Sequence, residues 1–166
     1  MSVPVVIGGA DGPTSVFLAG RLGGGWINIF GLCIVIAILI PNIIYACKFR
    51  GVENKCTNKV MNILEQIGRY GCMLLLVFSI GREEFAFGSI FAFLVYLIGN
   101  ATLLLAYWLV WILYFVKQSK WKSLTLAILP TLIFLLSGIT LQHVLLIVAA
   151  ILFGVGHIYV TWKNIQ

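Results

Sequence analysis

Apolar stretches of membrane-crossing length, set apart by short charged loops, restrict the fold of this chain more severely than any other feature. They cover about residues 26–46, 60–80, 85–116, 124–139 and 143–160. A bilayer's hydrocarbon core takes roughly 20 helical residues, and within it every backbone amide must find its partner inside the protein. The expected fold is therefore all-α: a polytopic helical membrane protein with five transmembrane helices, preceded by an N-terminal broken segment that either re-enters or forms a sixth span. Two regions follow, residues 1–25 for the broken segment and 26–166 for the five-helix domain. With 61% hydrophobic and 10% charged residues and a mean hydropathy of +1.08, the chain lies outside the soluble globular class. Its polar stretches are loops too short to hold a catalytic ectodomain.

The net charge of +6 would point to nucleic acid in a soluble protein, but here it reads as topology and no nucleic-acid partner is expected. Lys48, Arg50, Lys55 and Lys59 fall in or beside the 47–59 loop, and Lys117, Lys120 and Lys122 in the 117–122 loop. The positive-inside rule places both loops, and with them the C-terminus, in the cytoplasm of a cell (inner) membrane. Arg82, Glu83 and Glu84 then fall outside. The partner implied is the lipid bilayer, whose anionic headgroups attract a juxtamembrane basic residue by about 1 kcal/mol. No Lys or Arg precedes the first apolar run, so the basic start of a cleavable signal is missing and the N-terminus is expected to be retained. Cys33, Cys47, Cys56 and Cys72 form no CxxC pair, and reduced thiols are expected.

The stretch Gly8-Gly9-Ala10-Asp11-Gly12-Pro13-Thr14 is where the sequence most suggests chemistry. Gly8, Gly9 and Gly12 permit positive φ, Asp11 favours a local turn, and Pro13 suits the first turn of a new helix, where its missing amide hydrogen costs nothing. Residues 3–7 and 13–22 then form two arms around a break at 8–12. Carbonyl oxygens released at such a break, with the Asp11 carboxylate and the Thr14 and Ser15 hydroxyls, are ligands for a small hard cation. The other reading is a plain extramembrane turn capping the helix that follows.

Those residues, within about 5–22, resemble the GGADGPT segment of the membrane-embedded beta subunit of the sodium-translocating, biotin-dependent decarboxylases that act on oxaloacetate, methylmalonyl-CoA or glutaconyl-CoA. The resemblance implies an ion-binding site at Asp11, helped by Gly8, Gly9, Gly12 and Thr14, that binds sodium or exchanges it with a proton. It also implies partners, either other decarboxylase-type subunits or further copies of this chain. Sodium would be the ligand, and this chain would bind no organic cofactor of its own. The family's other functional segments have no counterpart here, and no catalytic constellation appears, so any enzymatic role would be that of a membrane subunit. The alternative function is a non-transporting accessory or scaffold protein.

Three further polar residues lie inside apolar runs, where ionisable groups are costly and paired or functional. Glu65 and Arg69 stand i,i+4 with the acid first, the favoured order for a helical ion pair, and a mutual pair near the inner interface is expected. Asn100, in the middle of a long apolar run, needs a hydrogen-bond partner from a neighbouring helix. His143 and His157 are expected at opposite membrane boundaries with no role, and Trp111 and Tyr114 as headgroup anchors.

Overall fold

A computed structural model of the chain describes residues 26–49, 54–80, 87 and 89–166. Five helices account for nearly all of them: α1 Ile29–Lys48, α2 Lys59–Val77, α3 Ile90–Val116, α4 Lys120–Thr140 and α5 Val144–Asn164. All five are long and apolar enough to cross a membrane, from a mean hydropathy of 2.5 in α1 down to 1.2 in α2. The protein is a helical, multi-pass membrane protein. Asp11, Gly8, Gly9, Gly12 and Thr14 lie outside the described residues.

Four of the five helices begin where a side chain supplies a cap. Asn28, Asn58 and Ser89 accept from the first-turn amides of α1, α2 and α3, and the ring of His143 accepts from Leu146 at the start of α5. Helix α4 starts at Lys120, so Lys120, Trp121 and Lys122, which the sequence places in a loop, form its first turn. Lys122 Nζ accounts for the difference. It donates to the Leu113 and Lys117 carbonyls at the C-terminal end of α3, 2.9 Å from each, and ties the two helices with a link of three residues. Between α4 and α5 the turn is equally tight: Gln142 takes a positive φ of 53°, and the His143 amide donates to the Gly138 carbonyl at 2.8 Å.

The helices close into a ring in the order α1, α2, α5, α4, α3 and back to α1. The lysine-bearing ends, namely the end of α1, the start of α2, the end of α3, the start of α4 and the end of α5, meet at one face. Asn28, Val77, Ser89 and His143 mark the opposite face, where the Asn28 amide donates to the Val77 carbonyl at 2.8 Å. Large apolar side chains such as Leu105, Leu109 and Ile112 on α3 point outward, as lipid contact requires. Buried residues of all five helices, among them Ile38, Leu76, Tyr107, Ile133 and Phe153, line the inside.

Proline inside α1 shows how such a helix remains paired. Pro41 has no amide hydrogen for the Ala37 carbonyl one turn back. Trp108 Nε1 of α3 donates to that carbonyl instead, at 3.0 Å. Asn42 Nδ2 reinforces the same region by donating to the Ile38 carbonyl and to the Tyr107 hydroxyl, both at 2.7 Å.

A charged cluster at the floor of a polar cavity

Glycine sets the site. In the α2–α5 seam, a Cβ at Gly156 would stand 2.6 Å from the Glu65 amide nitrogen, and one at Gly68 would stand 2.6 Å from Phe153 backbone atoms. The two helices therefore touch backbone to backbone, the close approach that small residues permit between membrane helices. Glu65, on α2, is brought by that contact against His157 on α5.

Two donors converge on one carboxylate oxygen. His157 Nδ1 lies 2.8 Å from Glu65 Oε1, and Arg69 Nη2 donates to the same oxygen. Glu65 is 6% exposed and carries the one carboxylate side chain among the described residues. At 1.5 Å per residue, Glu65 and Arg69 stand ~9 Å and ~15 Å along α2 from Lys59. The expected ion pair is present, with Glu65 turned against α5 and the Arg69 side chain partly exposed. Burying a charge pair demands that the remaining hydrogen-bonding positions also be satisfied. His157 helps to meet that need, from 92 residues away.

The arrangement fixes a tautomer. An ionised carboxylate only accepts, so Nδ1 of His157 carries the hydrogen and Nε2 holds the lone pair of the neutral ring. The ring lies flat on Phe153, with centroids 4.8 Å apart and planes 15° from parallel. Its Nε2 has no protein partner among the described residues, and neither has Glu65 Oε2. His157, expected to have no role, is thus the partner of Glu65 from another helix.

Glu65 and His157 form part of the wall of a cavity of about 730 Å³ at the lysine-bearing face. Tyr45, Trp111, Leu126 and Val160 supply apolar wall, Gln118 and Asn164 supply amides, and Lys55 and Lys120 supply cations. The Lys55 amide donates to Asn164 Oδ1 at 2.8 Å, joining the 54–58 segment to the end of α5. Trp111, expected at the headgroups, is buried inside an aromatic cluster, with centroids 5.4 Å from Tyr45 and 5.2 Å from Phe115. Its indole Nε1 is buried beside the Tyr107 hydroxyl.

Asn100 behaves as expected and lies apart from this site. Its amide donates to the Tyr96 carbonyl at 2.8 Å, and Ser137 of α4 donates to its oxygen at 3.3 Å. It is a structural cross-link between α3 and α4. All four cysteines are free thiols, and no group of residues suited to a metal ion occurs among the described residues. Comparison with protein-family models, curated proteins and solved structures finds no match.

Geometry leaves this cluster with one evident capability. With His157 neutral, Glu65 and Arg69 cancel; a proton added at Nε2 gives the cluster a net charge of +1 and turns a cavity-side acceptor into a donor.

Proposed function

We propose that this integral membrane protein binds a small polar solute in a proton-linked manner, from the face that carries its lysines. The supporting observation is the convergence of Arg69 and His157 on a single oxygen of Glu65 in the wall of a 730 Å³ cavity. Histidine is the side chain whose charge ordinarily changes between pH 5 and 8, and in this cluster its change is not cancelled by a neighbour. By the positive-inside rule, that face is cytoplasmic in a cell membrane. Histidine-selective carbon-13 NMR of the full chain in nonionic detergent tests the reading. Two ring signals are expected from the two histidines, and the one missing in His157→Gln should move between pH 5 and 8. A His157 signal that stays fixed across that range removes the proton-linked reading.

The GGADGPT segment supports a second reading, of sodium or proton binding or translocation at Asp11, together with other decarboxylase-type subunits or by self-association. Thermal stability in sodium and in choline at equal ionic strength, for wild type and Asp11→Asn, tests it. A site occupied at 100 times its dissociation constant adds about 2.7 kcal/mol. Stabilisation by sodium only while Asp11 is present supports the reading. Equal behaviour in both salts leaves an accessory or scaffold role for that segment.

A further inference from the structure

We propose that the cavity binds an organic carboxylate, an anionic head on an apolar body, and that it does so with His157 protonated. The inference rests on the proton-linked reading and names the ligand class of that site.

Charge is the first argument. The groups around His157 are Glu65 and Arg69 from α2, Lys120 from α4, Lys55 from the 54–58 segment, Tyr45 from α1 and Tyr107 and Tyr114 from α3. Glu65, the one anion among them, is neutralised by Arg69. The cavity therefore has cations at Lys55 and Lys120 and no uncompensated negative charge among the described residues. Protonation at Nε2 adds a further positive charge and a donor at the floor.

Shape is the second argument. A cavity of 730 Å³ lies within the range of small-molecule sites, which combine apolar walls with a few placed polar groups. Tyr45, Trp111, Leu126 and Val160 suit an apolar body better than a bare inorganic ion.

A carboxylate and the phosphate of a lipid headgroup share the negative charge, so both enter the test. The probe is radiolabelled benzoate, measured by scintillation proximity on the full chain in nonionic detergent at constant ionic strength, at about pH 5.5 and about pH 7.5. Benzoate is ionised at both. Binding that takes up one proton at Nε2 is expected to raise wild-type affinity several-fold at the lower pH. In His157→Gln, whose amide can still donate to Glu65, that ratio should fall to about one. In the double variant Lys55→Gln, Lys120→Gln, which removes two cations from the cavity wall, affinity should drop several-fold with the pH ratio intact. Glycerol phosphate, the lipid head without its chains, should compete poorly.

Strong competition by glycerol phosphate overturns the carboxylate assignment in favour of a lipid phosphate. Wild-type affinity independent of pH, or a ratio that survives in His157→Gln, overturns the proposal outright. If His157→Gln does not fold, unchanged affinity in the Lys55→Gln, Lys120→Gln double variant still overturns the proposal. A His157 NMR signal that titrates while benzoate affinity stays flat removes this inference and leaves the proton-linked reading standing.

Discussion

The α2–α5 seam and the α1–α3 seam hold the same ring together by opposite means. At the first, glycines bring two antiparallel backbones into contact, and the interface then has to accommodate a buried carboxylate. At the second, two parallel helices stand farther apart and are joined by side chains that reach across: Asn28 Nδ2 to the Tyr96 hydroxyl at 3.4 Å, Asn42 to Tyr107, and Trp108 to the Ala37 carbonyl. The tight seam leaves little room for water or solute. The reaching seam leaves space, and the cavity opens at its lysine-bearing end, between Tyr45 and Trp111 on one side and the α2–α5 cluster on the other. In a membrane, where lipid tails are as apolar as leucine, packing and polar contacts replace the hydrophobic effect between helices. This protein uses packing at one seam and polar contacts at the other.

The contrast can be broken most forcefully at Gly156. Val there would place its Cβ against the Glu65 backbone, and overpacking of this kind costs 1–3 kcal/mol or more. Gly156→Val is expected to lose about 3 kcal/mol in SDS-titrated unfolding from mixed micelles, together with the His157–Glu65 contact. Stability within 1 kcal/mol of wild type would show that the seam has slack.

Arg69→Met comes next. It leaves Glu65 buried with only histidine beside it, and removal of one partner from a buried pair costs about 3–5 kcal/mol. The Arg69 side chain is 35% exposed, so screening reduces the expectation to about 2 kcal/mol in the same assay. The loss should shrink as pH falls, because protonated His157 takes over as the cation. A loss that is the same at about pH 5.5 and pH 7.5 would separate His157 from the pair.

The other seam should respond in smaller steps. Trp108→Phe keeps the ring and removes the donor to Ala37, with an expected loss of about 1 kcal/mol, the usual net value of one hydrogen bond. Ser137→Ala, at the longer 3.3 Å contact to Asn100, should lose about 0.5 kcal/mol, near the 0.6 kcal/mol average of polar contacts between membrane helices. If Trp108→Phe costs as much as Gly156→Val, the two seams do not differ in kind.

What could be read in the sequence divides along a physical line. The spans were legible because lipid imposes length and polarity on each run, though the start of α3 at Ile90, capped by Ser89, falls five residues inside the third apolar run. The Glu65–Arg69 pair was legible because four residues along a helix make neighbours. The need of Asn100 for a partner was legible too, though not that Ser137 meets it.

His157 was missed because its partner is 92 residues away, beyond the reach of any helical period. The signal that would have found it is glycine: Gly68 follows Glu65 by three residues and Gly156 immediately precedes His157, marking where two helices can touch beside titratable groups. Trp111 was misplaced because an aromatic residue near a helix end reads the same whether it faces headgroups or a cluster of rings.

Pro41 has a consequence for biosynthesis. The Ala37 carbonyl it leaves open lies in the first of the five helices to be made, and the indole that closes it arrives 71 residues later. Throughout that interval α1 carries an unpaired oxygen that lipid cannot satisfy. The helix is inserted early and completed late, and translation reaches its finishing contact only with Trp108 in α3.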